Sequence, residues 1–173
     1  GTLYLVWRRE VITDDRKGLG AGYEKAFMDL LMSCSTDGGS SWSDPVRVND
    51  TRLTYRNPMA RVGQTDPLER DRKRAVKEPR LLDVAATGPG NLAVLWKDWR
   101  QGHAALFLAY TTDGGRTWSR NRPIREPALE DTHRGALAFT GADRLVALLP
   151  GVAGGSEPRL RESLQVREWQ IGE

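Results

Sequence analysis

The strongest constraint on this chain is a short pattern that occurs twice. Ser35-Thr-Asp37-Gly-Gly39-Ser-Ser-Trp42-Ser and Thr111-Thr-Asp113-Gly-Gly115-Arg-Thr-Trp118-Ser share an Asp-Gly-Gly-x-x-Trp-Ser core, and each follows an apolar run. The match extends upstream. Gly1-Thr-Leu-Tyr-Leu-Val-Trp7 lines up with Gly90-Asn-Leu-Ala-Val-Leu-Trp96, the Trp at the same offset from the Gly. A third copy opens at Ala136–Leu149, aligned with Leu82–Leu95, and runs on to Ser163–Trp169. A chain that repeats itself in this way must fold as a series of like supersecondary units.

Each unit reads as strands. The runs are short, rich in Leu, Val and aromatics, and end at Gly-Asn, Gly-Ala-Asp or Asp-Gly-Gly turns. Leu81–Thr87, Leu92–Asp98, Ala104–Thr112 and a last strand near Trp118–Arg125 predict one four-stranded antiparallel unit. Helical periodicity is weak everywhere, with Leu68–Val76 its best stretch. Four-stranded units of roughly 40–50 residues point to a β-propeller.

Spacing divides the chain. Leu82 to Ala136 is 54 residues, about one unit, whereas Asp37 to Asp113 is 76. The excess falls in segment 51–80, which carries nine Lys/Arg against four Asp/Glu, so +5 within a chain of net charge +3. It lacks interleaved aromatics and any nucleic-acid motif, and is expected to be a solvated insertion rather than a nucleic-acid surface. A smaller insertion separates Arg9 from Ala26. The expected organisation is a single partial domain over 1–173: an incomplete first blade (1–50), the basic insertion (51–80), a complete blade (81–127) and an incomplete third (134–173). Propellers close with about four to eight blades. About two and a half blades therefore imply a piece of a longer ring, six-bladed by expectation, or a protomer completed by other chains. The lone cysteine, Cys34, excludes an internal disulfide and is expected to be a buried, inert thiol. No apolar run is long enough to span a membrane as a helix.

The pattern Ser/Thr-x-Asp-x-Gly-x-x-Trp resembles the Asp box, or BNR repeat, of sialidases and their relatives, and both copies match every defining position. The resemblance covers about 1–50 and 81–150. It implies an all-β, sialidase-like propeller of four-stranded antiparallel blades, with each box at the hairpin between a blade's third and fourth strands. In that role Ser35, Asp37, Gly39 and Trp42, and Thr111, Asp113, Gly115 and Trp118, are structural. The Asp accepts hydrogen bonds from its own turn, the Gly supplies a positive φ, and the Trp packs back between sheets.

The same resemblance implies where chemistry would lie. Sialidases hold a substrate carboxylate with arginines and use an Asp as acid/base beside a Tyr–Glu nucleophile pair. Asp14 and Asp15, in the loop after Trp7-Arg-Arg-Glu10, match the region of the acid/base; the plain alternative is a solvated acidic turn. Arg80 and Arg134 each stand where an innermost strand begins and could converge on an anion, or cap a sheet edge. Arg56, in Tyr55-Arg56-Asn57-Pro58, loosely resembles the family's arginine motif. The pattern is incomplete: Lys77 stands where an arginine is expected, and neither Tyr23 nor Tyr110 matches the nucleophile. Asp98 and Arg100 alternate with Trp96 and Trp99 and read as a structural ion pair.

His103 and His133 are isolated, and no metal-ligand spacing appears. No cofactor is expected; Asp14 and Asp15 would suit Ca²⁺, but no motif specifies one. The resemblance implies a glycoside hydrolase acting on terminal acidic sugars, or a non-catalytic propeller that binds glycan or protein. The implied partner is a carbohydrate or glycoprotein, and the implied location is extracellular or periplasmic.

Overall fold

The computed structural model describes residues 1–13, 23–58, 80–100, 103–125, 134–152 and 162–171. These form eleven strands in three antiparallel sheets, with no helix among the described residues. The first sheet holds β1 (Leu3–Thr13), β2 (Tyr23–Ser35), β3 (Val46–Arg47) and β4 (Leu53–Pro58). The second is a four-stranded meander of β5 (Arg80–Thr87), β6 (Asn91–Asp98), β7 (Ala105–Thr111) and β8 (Arg122–Arg125). The third holds β9 (Ala136–Phe139), β10 (Arg144–Val152) and β11 (Glu162–Gln170).

The sheets stack face to face, with the second in the middle. Met28, Leu30, Met32 and Val48 of the first sheet pack against Val94, Trp96, Ala105, Phe107 and Ala109 of the second. On the opposite face of the second sheet, Ala93, Leu95, Leu106 and Leu108 pack against Leu137, Leu145, Ala147 and Leu149 of the third. Side chains alternate along a strand, so a sheet buried on both faces must be apolar throughout. Strands β6 and β7 meet that requirement, and Leu92–Trp96 is fully buried. Burying a Leu- or Phe-sized side chain contributes about 1.5–3 kcal/mol, which makes these two layers the main source of cohesion.

Polar clamps supplement the layers. Asp50 Oδ2 accepts from the Asn121 amide at 3.0 Å, and Asn121 Oδ1 accepts from the Asp50 amide at 2.9 Å, so a loop of the first sheet and the start of β8 are tied reciprocally. Asp83 Oδ2 accepts from the Leu137 amide at 2.7 Å, fixing β9 beside β5.

The structure corrects the expected layout in three places. Segment 51–80 is not wholly an insertion, because β4 pairs antiparallel with the first half of β2, Tyr23↔Pro58 through Met28↔Leu53. The β1–β2 hairpin also reaches further than expected: pairing continues from Leu3↔Ser35 to Thr13↔Lys25, beyond Arg9 and Ala26. Third, the repeat register of the third sheet slips by one residue. Leu145, Ala147 and Leu149 face the second sheet as Leu92, Val94 and Trp96 face the first side of the stack. The same turn contact confirms the match: the Ile171 amide bonds Asp143 O as the Gly114 amide bonds Gly90 O. A one-residue slip exchanges the two faces of a strand, and sequence similarity between two apolar runs could not detect it.

Candidate functional site

The two Asp-Gly-Gly turns are nearly superposable in their bonding. Asp37 Oδ1 accepts from the Ser35 hydroxyl at 2.8 Å and the Ser41 amide at 2.9 Å, and Oδ2 accepts from the Ser41 hydroxyl at 2.6 Å. Asp113 repeats this with Thr111 at 2.7 Å, the Thr117 amide at 3.0 Å and the Thr117 hydroxyl at 2.6 Å. The Ser35 and Thr111 hydroxyls accept in turn from the Gly39 and Gly115 amides, at 2.8 and 3.1 Å. Gly39 and Gly115 take φ of 96° and 86°, a region that L side chains occupy at a cost.

This bonding sets the carboxylate chemistry. Bonds from the Ser41 hydroxyl and amide and the Ser35 hydroxyl hold Asp37 well below the usual carboxylate range. Burial pushes Asp113 up, but bonds from Thr117 and Thr111 outweigh it and hold the carboxyl at about 2. Groups this acidic and this fully bonded stay ionised and cannot shuttle protons near neutrality.

The tryptophans of the two turns differ. Trp118 packs against the layer between the first and second sheets. Trp42 is 44% exposed, and its Nε1 donates to Gly39 O at 3.1 Å. The expected packing between sheets is thus met at one turn and absent at the other. Met32 accounts for the difference: it reaches from the first sheet onto the second turn, where a Cβ at Gly115 would lie 1.5 Å from its Cε. At Gly39 the nearest atom to such a Cβ is Leu3 Cδ1, at 3.7 Å. A cleft of about 640 Å³ opens beside the second turn, lined by Tyr4, Cys34, Asp44 and Arg116 among others. Cys34 is half-buried there, not buried as expected.

The Asp98–Arg100 pair forms as the alternation implied. Arg100 Nη2 donates to Asp98 Oδ2 at 2.8 Å, and Trp96 Nε1 donates to the same oxygen at 2.8 Å. Arg100 also reaches Asp50 at 3.0 Å and Asn121 at 3.2 Å, and its guanidinium lies 4.1 Å from the Phe107 ring centroid. The Arg100–Asp50 bond carries this network across to the first sheet, while the bonds to Asp98 and Asn121 stay within the second. A second carboxylate, Asp29, is 2% exposed and holds Arg9 and Arg52 at 3.1 and 3.3 Å. The Asp29 cluster and the links of Arg100 to Asp50 and Asn121 did not stand out in the sequence, since the residues joined lie 20 to 50 positions apart.

The arginines expected to meet a ligand are placed as follows. Arg80 opens β5, an edge strand of the second sheet, and is exposed. Arg134 precedes β9, an edge strand of the third sheet, by two residues and is also exposed. These edges lie side by side, since Leu137 bonds Asp83 and a Cβ on Gly135 would sit 3.5 Å from Leu82. Both arginines therefore stand at the same end of neighbouring edge strands. Arg56 lies on β4, in register with Lys25, on a different sheet. Asp14, Asp15 and His133 lie outside the described residues, and His103 is exposed. Among the described residues no group of three or more His, Cys, Asp or Glu could hold a metal ion, and no helix is long and apolar enough to cross a membrane.

No protein-family model matches the chain, and no curated protein matches it. Among solved structures, a mutant of NanB sialidase from Streptococcus pneumoniae matches with 11% identity and a TM-score of 0.38, over 88% of this chain and 22% of that one. The chain thus spans about a fifth of that protein's length, and a likeness this low carries no argument about activity.

Proposed function

We propose that the chain is an arc of a sialidase-like, Asp-box β-propeller that recognises terminal acidic sugars of glycans, as part of a glycoside hydrolase. The observation that carries this reading is the placement of Arg80 and Arg134 at the same end of adjacent edge strands, beside a stack built from two matching Asp-Gly-Gly turns. In a propeller these edges line the central channel. Two guanidiniums there suit a sugar carboxylate, because a planar fork matches its two oxygens. Asp14 or Asp15 would supply the acid/base, which requires a carboxyl free of the tight bonding that fixes Asp37 and Asp113.

Hydrolysis of a fluorogenic sialoside tests the catalytic part, with Asp14→Ala, Asp15→Ala, Arg80→Ala and Arg134→Ala compared. The reading expects turnover that falls at least about a hundredfold in one Asp variant and weakens in both Arg variants. Turnover indifferent to all four substitutions would sink it.

A second reading, a non-catalytic glycan- or protein-binding propeller, is favoured by one observation. The buried carboxylates Asp29 and Asp98 both bind arginines as structural clamps. Sialoside binding without turnover by the folded chain would select it.

A further inference from the structure

The first and second sheets leave a space between them. Beside the second Asp-Gly-Gly turn lies the cleft of about 640 Å³, a size that suits a small-molecule site. It is internal to the stack, between two packed sheets. Met32, which is buried, and Tyr4, Cys34 and Val46, which are half-buried, line it from the first sheet. Pro89, Gly90 and the second turn form the facing wall. That wall is fixed, because the Gly114 amide donates to Gly90 O at 2.9 Å. A Cβ on Gly90 would lie 3.1 Å from both Gly114 N and Thr112 O.

The repeat shows what occupies this position when it is filled. The Cys34 amide donates to Ser43 Oγ at 3.1 Å, and the Tyr110 amide donates to Ser119 Oγ at 3.0 Å. The Ser43 and Ser119 amides bond back to Cys34 O and Tyr110 O, at 2.9 and 2.8 Å. Cys34 and Tyr110 are thus one position of the repeat. Tyr110 packs against the core between the second and third sheets. Cys34 stops at its sulfur, so the room that a ring takes at the next junction stays open.

The open side of the cleft is charged. Asp44 and Arg116 line it from opposite walls, and both are exposed. Neither forms an ion pair among the described residues. The Asp113 carboxylate, also at the wall, is taken up by its own turn. A ligand that seats a ring beside Cys34 can offer an ammonium to Asp44. Its carboxylate then meets Arg116, whose planar fork matches the two oxygens.

We propose that this cleft binds a free aromatic amino acid, with the ring in the place that Tyr110 fills at the next junction and the charged groups held by Asp44 and Arg116. The site is distinct from the one at Arg80 and Arg134 and does not rest on it. Arg80 opens β5 and Pro89 follows its end, so a strand of about 25 Å separates them.

Titration of the folded chain with L-phenylalanine, followed by NMR chemical shifts, tests this, with alanine and 2-phenylethylamine as controls. The proposal expects saturable phenylalanine binding. Affinity should fall about tenfold or more in Cys34→Tyr, which places the repeat's own ring in the space, and similarly in Asp44→Ala and Arg116→Ala. Alanine lacks the ring and phenylethylamine lacks the carboxylate, so each should bind about tenfold or more weakly than phenylalanine. Sialoside binding by Cys34→Tyr should match the wild type, so failure here leaves the reading of the arginine site untouched. No saturable phenylalanine binding by the folded wild-type chain, or an affinity unchanged in Cys34→Tyr, overturns the proposal. If Cys34→Tyr does not fold, the substitutions at exposed Asp44 and Arg116 decide: an affinity unchanged in both overturns it. Either control binding as tightly as phenylalanine overturns it too.

Discussion

Replacing Gly115 with Ala should cost much more than replacing Gly39, although the two turns share sequence and bonding. Each glycine has a positive φ, 86° and 96°, and forcing an L side chain into that region costs about 1–2 kcal/mol. At Gly39 nothing else opposes the methyl group, whose nearest neighbour would be 3.7 Å away. At Gly115 the methyl would fall 1.5 Å from Met32 Cε and 3.1 Å from its Sδ. Met32 is flexible but buried in the layer between the sheets, so moving it adds an overpacking cost of about 1–3 kcal/mol. Gly39→Ala should therefore lose about 1–2 kcal/mol and Gly115→Ala about 2–5 kcal/mol in urea unfolding followed by circular dichroism. A double-mutant cycle isolates the packing part. Met32→Ala alone should cost about 2–5 kcal/mol, and in that background Gly115→Ala should cost no more than Gly39→Ala. Equal losses at the two glycines, or a Gly115→Ala cost unchanged by Met32→Ala, would refute the claim that the first sheet packs on the second turn.

Two further outcomes follow from the polar clamps. Arg100→Ala leaves Asp98 buried without its cation and should destabilise the chain by about 3–5 kcal/mol; Arg100→Lys should recover only part, since an ammonium lacks the fork that spans Asp98, Asp50 and Asn121. Full recovery by Lys would contradict that geometry. The Asp113 carboxyl sits at about 2 in the fold against an ordinary 3.8, and a depressed carboxylate contributes stability above its unfolded value that is lost as pH falls through the folded one. The urea midpoint should thus decline between about pH 4 and pH 2, with a shallower decline in Asp113→Asn; an identical acid slope in that variant would remove Asp113 from the account.

Much of the second sheet was legible because its strands are bounded by turn residues and no partner is needed to see them. All four expected strands appear within a few residues of their sequence bounds. The Asp98–Arg100 pair was legible for a similar reason, since period-two alternation fixes which side chains share a face. Strand β4 was not. Leu53–Pro58 is short and lies in a basic context, and its partner is an extension of β2 that sequence gives no reason to pair with it. Trp42 and Trp118 share one motif but not one environment, because burial depends on the neighbouring sheet and not on the turn. The inter-sheet bonds of Asp50 with Asn121, 71 residues apart, are tertiary in origin and leave no local trace. Of the candidate ligand residues, Arg80 and Arg134 fall at the same end of neighbouring strands, Arg56 falls on another sheet, and Asp14 and Asp15 lie outside the described residues.

The central claim is that Arg80 and Arg134 mark a site for an acidic sugar. Titration of the folded chain with a sialylated trisaccharide, against its neutral disaccharide as control, tests it most directly. The account predicts saturable binding of the acidic sugar alone, weakened about tenfold or more by Arg80→Ala and by Arg134→Ala and by added salt. Equal binding of the neutral sugar, or acidic-sugar affinity unchanged in both arginine variants, would contradict it.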